Sequence, residues 1–232
     1  MGHPMNDAAN SHQQLYVALL THDISNYNQT TRGYLEMLLD EQLGPITDEQ
    51  ARVLTTCLRQ CRRIQSLIDA IRLLEQLVRT APATEPLDLD EVIRDTILAV
   101  QREYSDRDIR VRFIPAHRQV LAEPQLSVVF HQLLSNATRH NDSEVVEIDL
   151  HLSKSTSEPP MWRILVADNG NGVPPAKRDL VFGRLENEQV HGAGLGLSLT
   201  RALVTRWGGE IWLEQTDEGQ GAIFGLTLPC VP

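Results

Sequence analysis

Residues 15–43 read LYVALLTHDISNYNQTTRGYLEMLLDEQL, and their spacing decides the architecture of the first part of the chain. From Gln13 to Leu43 there is no proline, and no mid-helix breaker apart from Gly33. Leu20, Ile24, Tyr27, Thr31, Tyr34 and Leu38 follow one another at alternating steps of four and three. That period gathers them on one stripe of a long helix, as in a coiled coil or a four-helix bundle. His22 and Asp23 lie beside the stripe and are expected to be reachable from solvent. Asn26 comes one turn after His22 on the same face. A histidine, an adjacent carboxylate and an amide one turn on make a candidate reactive patch, although three polar residues on a wet helix face are also ordinary.

Gly44-Pro45 is a stop signal. Thr47 and Gln50 have the spacing of a capping box, so a second helix starts there. It carries Leu54, Cys57, Cys61, Ile64, Ile68 and Ile71 at the same alternating steps. Two long helices joined so briefly fold back as an antiparallel hairpin. Two helices bury little surface, so an apolar stripe on each predicts that two copies pair into a four-helix bundle, a homodimer. Cys57 and Cys61 are read as small core hydrophobes, since two thiols alone fall short of a metal site.

The chain has 232 residues, room for one large domain or two ordinary ones. Thirty-one acidic residues against 21 basic ones give a formal charge of -10, which argues against nonspecific binding to nucleic acid or anionic membranes. No apolar run is long enough to span a bilayer, and no signal peptide is visible. A cytoplasmic protein is expected, and the chain could be one piece of a longer protein.

Residues 1–10 are expected to be a disordered end, 11–80 the hairpin, and 81–88 (APATEPLD) a linker broken by two prolines. Beyond it, residues 89–232 read as a second domain. A helix over 90–101 leads to a strand at 109–115, a helix over 126–140, and strands at 145–152 and 161–170. A Gly/Pro-marked loop, a helix over 195–207 and strands around 210–215 and 222–228 follow. This order suggests an α+β two-layer sandwich, a mixed sheet covered by helices on one face.

Three stretches of this domain carry candidate chemistry. In LLSNATRH (133–140), Asn136 and Arg139 are one turn apart; an amide oxygen can ligate Mg²⁺ and an arginine can grip phosphate. In VADNGNGVP (166–174), a strand runs into Asp168 and then Gly170 and Gly172. A carboxylate there can accept from a purine's exocyclic amine, although the same residues also make a simple turn. In HGAGLGLSL (191–199), alternating glycines open onto an apolar helix and offer free N–H groups and a helix N-terminus to phosphate. The spacing is neither the dinucleotide fingerprint nor a Walker loop.

Taken together, these pieces resemble the catalytic core of a two-component sensor histidine kinase, from about Leu15 to Pro229. His22-Asp23 falls where that family keeps its phospho-accepting histidine and neighbouring acid. Residues 131–140 resemble its asparagine-containing ATP box, Asp168–Gly172 the first glycine box, Val181-Phe182 the phenylalanine box, and Gly192–Gly196 the second glycine box. Trp207-Gly208-Gly209 and the Gly219–Pro229 ending also fit. Three positions depart from the usual pattern. Gln132 stands where an asparagine is common, Arg139 replaces a lysine, and Tyr27 replaces a proline five residues after the histidine. The loop between residues 174 and 191 is short for a nucleotide lid.

The resemblance implies an ATP-binding catalytic domain and autophosphorylation of His22, followed by transfer to an aspartate of a response-regulator receiver domain. It implies that Asn136, with Gln132, holds Mg²⁺ on the phosphates of ATP. Asp168 would then read the adenine amine, His140 would pack near the ring, and Arg139 with the N–H groups of Gly194, Leu195 and Gly196 would offset phosphate charge. Gly192 belongs to the same loop. Asp23 would take a proton from His22 or fix its tautomer. Asn26, like the amide or hydroxyl found at this position in such kinases, would orient water for dephosphorylation of the partner. Two alternatives stay open: a degenerate kinase acting as a dimeric scaffold or phosphatase, and another ATPase of the wider superfamily.

Overall fold

The computed structural model describes residues 4–155, 158–183, 195–214 and 221–231. The chain divides into two compact units, residues 1–79 and 80–232.

The first unit is a helical hairpin, α1 (Pro4–Leu39) and α2 (Asp48–Arg79). With no proline or glycine between Met5 and Arg32, α1 reaches back through residues 4–10, a stretch expected to be disordered. The turn at its end places Glu41 and Gly44 at positive φ, 55° and 115°. The capping box at α2 closes as expected. Thr47 N–H donates to Gln50 Oε1 (2.8 Å), and Gln50 N–H donates to Thr47 Oγ1 (3.2 Å).

Within the hairpin, the seam is not the apolar stripe. Thr21 and Asn28 are buried, with Ser25, Arg32, Leu35 and Leu39 half-buried, one position on from the expected set. Asn28 Nδ2 donates to the Cys61 carbonyl (2.8 Å), Ser25 Oγ to Gln65 Oε1 (3.4 Å), and Arg72 to the Thr21 carbonyl (3.4 Å). Leu20, Ile24, Tyr27 and Tyr34 are 46% to 75% exposed. On α2, Cys61 is buried as read, but Cys57 is exposed, because it faces away from α1 beside exposed Val53 and Ile64. The apolar period is present, but it is left uncovered by the chain's own second helix.

The second unit is a mixed five-stranded sheet with helices, as expected. β1 (Glu85–Asp88) pairs antiparallel with β3 (Gln119–Ala122) in a small ribbon. β1 falls within the stretch read as linker, and the second unit begins at residue 80. The main sheet has the order β2 (Asp108–Arg112), β4 (Val145–Lys154), β5 (Met161–Asp168), β7 (Ile223–Pro229), β6 (Ile211–Leu213). β2 and β4 run parallel and the other pairs antiparallel. Period-two alternation puts Val146, Ile148 and Leu150 of β4 and Ile164 and Val166 of β5 into the core. α4 (Leu126–Arg139) packs on β4 and β5, α6 (Leu195–Arg206) on β6 and β7, and α3 (Leu89–Glu103) on α4 and the β1–β3 ribbon, each through an apolar face. Phe130, Leu133 and Leu134 of α4 are at most 1% exposed, each burial stabilising the fold by about 2 kcal/mol. A four-residue helix, α5 (Pro175–Arg178), lies in the stretch read as lid.

Candidate functional site

His22 stands out of the hairpin because Thr21, Ser25 and Asn28, on the neighbouring stripe, turn inward to α2. Its side chain is 67% exposed and that of Asp23 66%. His22 Nδ1 lies 3.1 Å from Asp23 Oδ1 and 3.4 Å from Asn26 Nδ2. An ionised carboxylate can only accept, so in the tautomer that makes this bond Nδ1 carries the proton and Nε2 is the basic nitrogen, and the Asn26 amide nitrogen, itself a donor, makes no hydrogen bond to Nδ1. The three residues singled out on α1 are thus brought together.

In the second unit, Asp168 ends β5 and is held by the chain around it. Its Oδ1 accepts from Gly170 N–H (2.9 Å) and Ala222 N–H (3.2 Å). Burial pushes its carboxyl above the usual aspartate range, against the pull of those two backbone bonds and of His140's charge. The glycines that follow are sterically required. A Cβ on Gly170 would stand 2.8 Å from the His140 carbonyl oxygen. Gly172 (φ 70°) packs against Gly221, and a side chain on Gly221 would overlap the Asp168 carbonyl. Asn141, 1% exposed, ties this corner to the end of α4 by donating from Nδ2 to Asn169 Oδ1 (2.6 Å). His140 caps α4, and its carbonyl accepts from Asn171 N–H (3.2 Å).

On α4, Asn136 Oδ1 accepts from Arg139 Nη2 (2.6 Å) and from Gln132 Nε2 (3.1 Å). These three side chains of the 131–140 stretch form one knot. Facing it, Leu195 and Gly196 open α6, with Gly196 against the Gln132 carboxamide. Gly192 and Gly194 lie outside the described residues. Phe182 is anchored edge-on to Phe224 of β7 (6.2 Å between ring centres), and its carbonyl accepts from Ser198 Oγ (3.3 Å).

Among the described residues no cluster of three His, Cys, Asp or Glu could hold a metal by itself. The donors present are amide oxygens, that of Asn136 engaged by Arg139 and Gln132 and open to a cation only if one of those bonds yields. That set fits Mg²⁺, which retains water and takes its remaining oxygens from phosphates. It does not fit a metal caged by protein alone.

One cluster went unread in the sequence. Glu123, at the end of β3, accepts from Arg206 Nε (2.8 Å), Trp207 Nε1 (2.9 Å) and Ala83 N–H (3.2 Å), while Arg206 also donates to Thr80 Oγ1 (3.1 Å). The Arg206 bond, stronger than the desolvation that opposes it, holds the Glu123 carboxyl below its usual range. The partners are separated by up to 126 positions, so only the Trp207 motif hinted at them.

Residues 122–232 match the family described as histidine kinase-, DNA gyrase B-, and HSP90-like ATPase. Cyanobacterial phytochrome B of Nostoc sp. is 26% identical over an alignment of 229 residues that covers 96% of this chain and 30% of that protein. The chain thus spans about a third of the length of that relative. The mycobacterial sensor histidine kinase MprB is similar over 64% of this chain and 99% of the solved one, with 28% identity and a TM-score of 0.53. The full-length ShkA structure in complex with AMPPNP shares the fold over 93% of this chain and 46% of that one, at 22% identity and a TM-score of 0.62.

Proposed function

We propose, for a chain whose catalytic core matches the histidine-kinase ATPase superfamily in the setting of a two-component sensor, that it transfers the γ-phosphoryl group of ATP to His22. It then passes the group to an aspartate of a response-regulator receiver domain and also dephosphorylates that partner. The observation that carries this reading is the exposed imidazole hydrogen-bonded through Nδ1 to Asp23. Its Nε2 lone pair attacks phosphorus, the bond to the bridging oxygen breaks, and ADP leaves with that electron pair. Asp23 holds the Nδ1 proton and offsets the positive charge that develops on the ring.

In the second unit Asp168 accepts from the adenine amine through Oδ2, since Oδ1 is engaged by backbone. Arg139 and the N–H groups that open α6, Leu195 and Gly196 with the neighbouring Gly192 and Gly194, offset phosphate charge. Mg²⁺ held through Asn136 would neutralise the phosphate oxygens as charge moves toward the leaving group. His140, at the end of α4 beside Gly170, borders the base.

Two copies of the hairpin cover each other's exposed Leu20, Ile24, Tyr27 and Tyr34, giving a homodimer with a four-helix bundle. Labelled ATP and Mg²⁺ test the reading. The protein should acquire an acid-labile, base-stable label that a receiver domain then removes. An acid-stable label or none at all would contradict it.

A further inference from the structure

Gln132 sits where α4 meets α6. Its carboxamide lies flat across the Cα of Gly196, where an added Cβ would overlap the carboxamide carbon, nitrogen and oxygen together. Its Nε2 donates to Asn136 Oδ1 (3.1 Å), one turn along α4. α4 and α6 pack directly on each other, so this side chain spans the two elements that carry the ATP-box residues and the start of the glycine-rich helix. An asparagine at position 132 would be one methylene shorter and could not lie across Gly196 in the same way.

We infer that Gln132 is a positioning residue that clasps the start of α6 to α4, through its packing on Gly196 and its bond to Asn136. The inference rests on the nucleotide-binding reading above. The clasp works by packing and one neutral hydrogen bond, so it acts on nucleotide whether or not metal is present. Gly196 is glycine because the carboxamide occupies the place of its side chain. A methyl group there does not break backbone; it evicts the far end of Gln132, and Gly196→Ala should therefore reproduce Gln132→Ala.

The test is a double-mutant cycle on the full chain, with ATP binding measured by calorimetry in EDTA and again across a Mg²⁺ titration. Each single variant should weaken ATP binding about fivefold, the scale of one neutral hydrogen bond with its packing. The loss should be equal with and without Mg²⁺. Gln132→Ala combined with Gly196→Ala should be no weaker than either single variant. Losses that multiply in the double variant would overturn the clasp. So would a Gln132→Ala protein that binds ATP normally in EDTA yet requires more Mg²⁺, since that marks a metal ligand. If the unaltered chain bound no ATP, the nucleotide-binding reading itself would fall, and the inference with it.

Discussion

The Nδ1 atom of His22 lies 3.1 Å from Asp23 Oδ1 on an open face of α1. Neighbours on one helix turn rarely hold each other so directly, and the bond fixes which ring nitrogen is basic. Asp23→Asn should therefore leave ATP affinity unchanged and slow autophosphorylation by about 100-fold, the range of a lost proton-accepting group. The measurement is the initial rate of label incorporation at saturating ATP. A rate within twofold of the parent would remove Asp23 from the chemistry.

Asn26 Nδ2, a donor, stands 3.4 Å from the ring nitrogen that already donates to Asp23, so the two make no hydrogen bond. Its substitution should then cost autophosphorylation little. Asn26→Ala is expected to label at nearly the parental rate while dephosphorylating a receiver domain, one this chain has itself phosphorylated, about tenfold more slowly. Both rates can be read from one gel series, and parallel loss of the two would defeat the separate role.

Asp168 is pushed above the ordinary carboxylate range by burial. The protonated acid cannot serve as the full acceptor for an amine, so ATP affinity should be complete at neutral pH. It should decline on acidification sooner than an ordinary aspartate would allow. Asp168→Asn should weaken ATP about tenfold at neutral pH, as loss of a charge-assisted bond does, and should flatten that acid limb. The same shift has the opposite sign for stability: the fold favours protonated Asp168, so this group gains stability as pH falls. Equal pH profiles for the two proteins would count against the assignment.

Glu123 shows the reverse sign. Its carboxyl is lowered chiefly by the Arg206 bond, so it contributes stability that is full above the unfolded-state value and is lost as pH falls through the folded one. Glu123→Ala removes the carboxylate partner of a nearly buried guanidinium, which keeps its bond to Thr80, and should cost about 3 kcal/mol at pH 7. Urea unfolding at pH 7 and again in acid measures it; the difference between variant and parent should shrink in acid. A constant difference would mean that packing, not the charge, holds this corner.

Strong local patterns made much of this legible in the sequence. The alternation of Val146, Ile148 and Leu150 marked β4, and the α4 face of Val129, Leu133 and Leu134 marked its helix. The period of α1 was read correctly, yet it could not say which neighbour each stripe meets. The hairpin closes through Thr21, Ser25 and Asn28, polar groups that bond across it, and leaves the apolar stripe open. β1 escaped notice because Pro86 marked its stretch as linker, and β3 because Val120, Leu121 and Ala122 run without a polar alternation. The Glu123 cluster and the Gln132–Gly196 contact join distant positions, which only the folded chain brings together.

The central claim is that the phosphoryl group lands on His22. It is tested most directly by comparing the parent chain with His22→Gln, both incubated with ATP labelled at the γ-phosphate and Mg²⁺, with ATP binding measured alongside. The account predicts normal ATP affinity in both proteins and an acid-labile label in the parent alone. The same label on His22→Gln would place the acceptor elsewhere and contradict it.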